Sequence, residues 1–157
     1  NLWIDIAKPV LTDLISKVDA LLINEEEAKQ LTGEEHLPDA ANAIIKLGPN
    51  STVIKRGEYG ATLFGDGFSF AAPAYPLERV VDPTGAGDSF AGGFMGYLAS
   101  VGKVDEESLR TAAIVGSTMA SFAVEDFGLD RIKNLTKSDI DERFNAFVDL
   151  TRFNPLT

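Results

Sequence analysis

Residues Val81-Asp82-Pro83-Thr84-Gly85-Ala86-Gly87-Asp88-Ser89-Phe90 set two carboxylates around a glycine-rich turn. The turn leads straight into an apolar-periodic segment. Gly85 and Gly87 have no side chains, so another molecule can come close to the backbone there. The amides of residues 85–88 would stand at a helix N-terminus, where N–H groups without helical partners and the macrodipole attract anions. Asp88 then puts a carboxylate beside an anion site, which is repulsive unless the carboxylate has work to do. Accepting a proton from an attacking hydroxyl is such work. The plain alternative is a tight turn before an ordinary helix. Two acids flanking the glycines and a Gly-rich amphipathic helix behind them favour the chemical reading.

Two more groups of residues could serve the same chemistry. Asn24 and Glu27 open a predicted helix directly after the apolar run Ala20–Ile23. Three residues apart, they share one face of the helix start. Amide and carboxylate oxygens suit a hard cation such as Mg²⁺, held partly through waters. The competing reading is a helix cap, with Asn24 as N-cap and glutamates offsetting the dipole. Glu25 and Glu26 are read as a solvated face. Further along, Lys55-Arg56-Gly57-Glu58-Tyr59-Gly60 follows the predicted strand Ser51–Ile54. Its two glycines permit a tight turn, and Lys55 could meet a nucleotide phosphate as a point charge. A simple turn between strands is the alternative.

The stretch from Asp82 to Asp88 resembles the C-terminal signature of the ribokinase-like (PfkB) family of sugar and nucleoside kinases, D-T-x-G-A-G-D, with Pro83 in the second position and Thr84 in the third. The resemblance implies that Asp88 is the catalytic base and that Gly85, Ala86 and Gly87 supply the anion hole for the phosphoryl group in flight. It places the family's N-x-x-E motif, associated with Mg²⁺ and phosphate positioning, on Asn24 and Glu27. It places a nucleotide-contacting K/T-x-G-x-x-G on Lys55, Gly57 and Gly60. It implies an adenine-lining loop after a helix ending near Phe122, with Gly128 matching that loop's glycine. Some members add a K⁺ site whose oxygens lie near Asp82 and Thr84. The resemblance covers nearly the whole chain, with three motifs in the family's order. The motif fillings lean toward nucleoside-kinase-like members.

The 157 residues are enough for one domain with a substantial core. Apolar and charged fractions of 45% and 24% are those of a globular protein. A net charge of −10 speaks against a nucleic-acid surface. The chain has no cysteine, which excludes disulfides and thiolate metal sites and fits a cytoplasmic location. No apolar run reaches the ~20 residues of a membrane span. The chain begins at Asn1-Leu2-Trp3-Ile4, without Met, and this start reads as the end of a strand. An internal or C-terminal piece of a longer protein is expected.

The elements that must position these residues alternate. Helices are predicted over Lys8–Val18, Glu25–Leu31, Pro38–Leu47, Gly85–Val101, Ser108–Phe122 and Ser138 to about Arg152. Thr136 and Asp139 resemble a capping box for the last. Ala20–Ile23 reads as a strand buried on both faces. Ala61–Phe64 and Phe68–Phe70 form a hairpin around Gly65-Asp66-Gly67. Phe90, Phe94, Leu98 and Val101 are expected to form one buried face. Gly92, Gly93 and Gly96 are expected to allow close packing against a sheet or a ligand. Trp3 and Phe122 are assigned to the core, and His36 to the surface.

This order predicts an α/β, ribokinase-like three-layer fold with a mainly parallel sheet, residues 1–157 being the C-terminal part of a single kinase domain. The N-terminal half and lid would be missing. The expected activity is ATP- and Mg²⁺-dependent phosphorylation of a sugar or nucleoside hydroxyl, with neither a membrane nor a nucleic-acid partner. The alternative is a nucleotide-binding fragment without turnover, because the acceptor-binding half is absent. Homodimerisation, stabilisation by the missing half, or aggregation is expected to cover exposed sheet edges. A dehydrogenase is disfavoured, since no G-x-G-x-x-G follows the first strand, and no P-loop is present.

Overall fold

A computed structural model describes residues 2–154 and 156. The chain divides into two compact units, one ending at Ala72 and one starting at Pro73.

The first unit is mixed α/β. Its elements are α1 (Leu2–Ile6), α2 (Lys8–Ile15), β1 (Ala20–Asn24), α3 (Glu25–Thr32), α4 (Leu37–Lys46), β2 (Ser51–Lys55), a 3₁₀ turn (Gly57–Tyr59), β3 (Ala61–Gly65) and β4 (Phe68–Ala72). The strands lie in the order β1-β2-β3-β4. β1 and β2 are parallel, joined by a helical crossover, with Ala20 opposite Ser51 and Asn24 opposite Lys55. The β2–β3 and β3–β4 pairs are antiparallel. The sheet of this chain is thus mixed, not mainly parallel. The connections after Lys55 and Gly65 are too short to carry a crossover, and short connections make antiparallel neighbours.

The hairpin forms where predicted. Gly65 pairs with Phe68, leaving Asp66-Gly67 as a two-residue turn. Helices α1–α4 supply Ile4, Ile15, Leu31 and Ile44 to a core closed by Ile23 and Ile54 of the sheet. Each such side chain contributes roughly 1.5–3 kcal/mol by leaving water. β2 is the strand buried along its length, from Ser51 to Ile54. In β1 only Ile23 is buried. The expectation of a β1 buried on both faces is not met among the described residues, where β1 stands at one end of the strand order.

The chain's start is also corrected. Leu2–Ile6 is helical, and the Ala7 N–H reaches the Trp3 carbonyl at 3.0 Å. Asn1 lies outside the described residues. A five-residue helix can turn only one side inward. Ile4 takes it, and Trp3, expected in the core, is 63% exposed. Phe122 is buried and His36 exposed, as expected.

The second unit is helical: α5 (Ala86–Val101), α6 (Glu106–Ala123), α7 (Asp130–Lys133) and α8 (Lys137–Thr151). Phe90, Phe94 and Leu98 are buried on α5. Val101, expected beside them, is 42% exposed because it closes the last turn. The three glycines of α5 behave differently. Only Gly93 meets a neighbour, the Met119 side chain and the Val115 carbonyl of α6, whereas a methyl at Gly92 or Gly96 would meet nothing within 4 Å. Within the described residues, the three glycines make one close contact, that of Gly93 with α6. Gly92 and Gly93 point about 100° apart on α5, and Gly93 is the one turned to α6.

The Thr136–Asp139 capping box is present at α8. A second box, Asp105 with Ser108, starts α6 earlier than predicted. Hydrogen bonds from Lys103 and then from Ser108 hold the Asp105 carboxyl at about 2, below its ordinary 3.8. A carboxyl lowered in the fold stabilises it above the unfolded value and loses that contribution as pH falls toward the folded one. The helix signal in circular dichroism should therefore weaken between about pH 4 and pH 2. Asp105→Asn, which keeps the cap but not the charge, should flatten that part of the acid titration. An unchanged slope would remove Asp105 as the cause. Among the described residues no helix is long and apolar enough to cross a membrane.

Candidate active site

The first unit gathers Asn24, Glu27, Lys55, Gly57 and Gly60 around the C-terminal ends of β1 and β2. Parallel pairing sets Asn24 and Lys55 opposite one another as the last residues of the two strands. In open α/β sheets ligands collect beyond these ends. Asn24 is extended, and its Oδ1 accepts the Glu27 N–H at 2.7 Å. The Asn24 N–H donates to Glu27 Oε2 at 3.2 Å. This is the capping reading of the N-x-x-E pair, realised in full. It also holds the Glu27 carboxylate at the helix start. Among the described residues no three His, Asp or Glu side chains are grouped as a metal cage. A site with few protein ligands and several waters is how Mg²⁺ is commonly held, and the oxygen donors of Asn24 and Glu27 fit that chemistry.

Glu25, expected on a solvated face, is instead a bridge. It pairs with Lys29 along α3 and with Arg56 Nε at 3.1 Å across from the β2 turn. Hydrogen bonds from Lys29 and then Arg56 hold its carboxyl below the ordinary value. Arg56 also lies 5.7 Å from the centre of the Tyr59 ring. The pair ties the β1–α3 junction to the Gly57–Gly60 turn. Only the parallel register brings these residues, 31 positions apart, together, so local spacing carries no sign of it.

The turn after β2 is built on its glycines. Gly57 has φ 56°, and Gly60 has φ 81° with ψ −141°, a region open essentially to glycine alone. The Arg56 N–H donates to the Gly60 carbonyl at 2.7 Å, closing the loop.

The second unit carries the Asp82–Asp88 segment. The Thr84 N–H donates to Asp82 Oδ1 at 2.9 Å, and this bond holds the Asp82 carboxyl below its ordinary value. Asp82 thus sets the turn from its own side chain. Gly85 follows with φ 81° as the N-cap of α5, and a methyl there would face open space. The Ala86 N–H donates to the Pro83 carbonyl at 3.2 Å, and the Ser89 N–H to the Gly85 carbonyl at 2.9 Å. Asp88 is exposed in the first turn of α5.

The loop after α6 belongs to this same unit. The Val124 carbonyl accepts the N–H groups of Val81 at 2.8 Å and Asp82 at 3.4 Å. Gly128 has φ 59° in that loop, between exposed Phe127 and Leu129. Thus Thr84–Asp88 and the Gly128 loop belong to one unit, joined through Val124 and the Val81 and Asp82 amides, and the Asn24, Glu27 and Lys55 group belongs to the other.

Residues 1–135 match the profile of the pfkB family carbohydrate kinases. The chain belongs to the pfkB family. A cytidine kinase of Thermococcus kodakarensis is 42% identical to it over 106 residues, 66% of this chain and 37% of the relative. An aminoimidazole riboside kinase of Salmonella typhimurium is 31% identical over 142 residues, 88% of this chain and 43% of the relative.

Among solved structures, the Salmonella enterica aminoimidazole riboside kinase, crystallised with aminoimidazole riboside and an ATP analogue, superposes with a TM-score of 0.78 at 27% identity. That match covers 87% of this chain and 46% of the other. A nucleoside kinase of Methanocaldococcus jannaschii, an archaeal member of the ribokinase family, gives 0.70 at 26% identity, covering 90% and 44%. This pfkB-family chain therefore has the ribokinase-like α/β fold. It spans less than half the length of these relatives.

Proposed function

We propose that the protein carrying this chain transfers the γ-phosphoryl group of ATP to a hydroxyl of a sugar or nucleoside. The observation that carries this reading is the Asp82–Asp88 turn. A carboxylate-fixed loop passes through left-handed Gly85 into α5, with Asp88 in the first helical turn. Such a terminus offers positive dipole ends to a transferring phosphoryl group. Asp88 accepts the proton of the attacking hydroxyl, and the Gly85, Ala86 and Gly87 amides stabilise the charge on the phosphoryl oxygens. The Ala86 N–H donates to the Pro83 carbonyl at 3.2 Å, so it serves the phosphoryl oxygens only by giving up or bifurcating that bond.

Lys55 and the Gly57–Gly60 turn hold nucleotide phosphates, Lys55 as a point charge and the turn through close backbone approach. Thr84 and Gly128 border the nucleotide end of the second unit. When bound, Mg²⁺ at Asn24 and Glu27 neutralises phosphate charge. The capping bonds keep the Glu27 carboxylate at the start of α3.

The reading is tested on the full-length protein with ATP and a panel of ribose, fructose, fructose 6-phosphate, adenosine, cytidine and aminoimidazole riboside. Turnover of at least one supports it, and ATP-dependent turnover of none overturns it. The same assay with and without K⁺ reads any monovalent-cation dependence. Glu27→Gln keeps the capping acceptor and loses the charge, so it should raise the Mg²⁺ concentration for half-maximal rate by about tenfold or more. An unchanged Mg²⁺ dependence would leave Glu27 as a helix cap alone.

A further inference from the structure

We propose that Arg143, on α8 and outside every motif that meets the reactants, is a positioning residue for the Asp82–Asp88 turn; this rests on the phosphotransferase reading above. The last carbonyls of a helix have no partners within it. At the end of α6 the Val124 carbonyl is met by the Val81 and Asp82 N–H groups. Those two amides begin the segment in which Asp82 fixes Thr84 and Gly85 starts α5. The place of Val124 therefore sets where the turn begins.

Val124 is held in turn by its neighbour. The Glu125 carboxylate accepts from Arg143 at 2.7 Å and from Arg131 at 3.0 Å. Arg143 is the more firmly seated of the two. Its guanidinium donates to Ser121 Oγ at 2.9 Å as well as to Glu125. It lies 4.2 Å from the ring centres of both Tyr75 and Phe122. Its side chain is 16% exposed, against 32% for Arg131. A planar cation stacked on two rings and bonded at two ends has little freedom. The path runs from α8 through Glu125 and the Val124 carbonyl to the Asp82 amide, and so to the turn that carries Asp88.

The test uses Arg143→Lys and Glu125→Gln in the full-length protein. Lysine keeps the charge but cannot reach Ser121 and Glu125 together while stacked between two rings. Glutamine keeps the size and one acceptor and loses the charge. In each variant kcat should fall about tenfold, with KM for ATP within about twofold of the parent. Amide hydrogen exchange at Val81 and Asp82 should quicken by about tenfold, while Phe94 and Leu98 in α5 keep their parent rates. Parent-like kcat, or unchanged exchange at Val81 and Asp82, overturns the proposal. Equal loss of protection at Phe94 and Leu98 overturns it too, since the effect is then one of general stability. The exchange measurement does not need turnover. A parent protein without kinase activity would sink the phosphotransferase reading, and exchange at Val81 and Asp82 would still decide the coupling.

Discussion

If Asp88 is the general base proposed above, Asp88→Asn in the full-length protein should lower kcat by about 10²–10⁴-fold, the range a positioned general base supplies, and leave ATP binding close to that of the parent. The substitution is nearly isosteric. Asp88 is exposed in the first turn of α5, so little packing depends on it. Asparagine can still accept a hydrogen bond there, but it cannot take up the hydroxyl proton. The loss should therefore fall on kcat, with KM for ATP nearly unchanged, because the proton moves only in the reacting complex. Steady-state kinetics on the best acceptor of the panel, with ATP binding measured by calorimetry, reads both quantities. Near-normal turnover would remove Asp88 as the base, and weakened ATP binding of similar size would make it a ligand residue instead.

The second large effect is on stability. Gly116→Val should destabilise the protein by about 2–3 kcal/mol through overpacking. A methyl at Gly116 would stand 2.9 Å from the Phe90 carbonyl and 3.1 Å from the Phe90 ring. The carbonyl belongs to the α5 backbone and cannot swing aside, and Phe90 is itself buried. The branched side chain of valine adds two more atoms to that overlap. Gly92→Ala is the counterpart. It too replaces a helical glycine, but the methyl meets nothing within 4 Å. It should stabilise by about 0.5–1 kcal/mol, through the lower entropy of the unfolded chain. Urea unfolding of both variants decides the matter. Similar midpoints for the two would mean that α5 and α6 do not approach each other as described.

Features that depend on neighbouring residues are legible in the amino-acid sequence. Thr136 and Asp139, three apart, cap α8 as their spacing predicts. Asp66-Gly67 closes the hairpin between two apolar runs. Asn24 and Glu27 form the capping box that their spacing allows. The interaction is complete within four residues, so spacing alone can announce it. Gly85 before α5 follows the same logic, since its φ of 81° favours glycine. The order of motifs is enough to reach the pfkB family.

What the chain order leaves open depends on partners far away in sequence. Glu25 and Arg56 meet because β1 and β2 run parallel in one register, and neither residue's surroundings in sequence signal it. Arg143 meets Glu125 and Ser121 across 18 and 22 positions, in a niche made by two rings from other segments. β1 reads as a fully buried strand, yet it ends the strand order and only Ile23 is buried. Gly92 and Gly93 are adjacent, and the rotation of α5 against α6 alone makes one a contact and the other a free surface.

The sequence by itself determined the caps and the turns, that of the Asp82–Asp88 segment included, because a backbone conformation and its hydrogen bonds are settled within a turn or two of chain. The tertiary structure decided which way each face looks and which charges meet. Those outcomes follow from register and helix rotation, and no residue encodes either one alone.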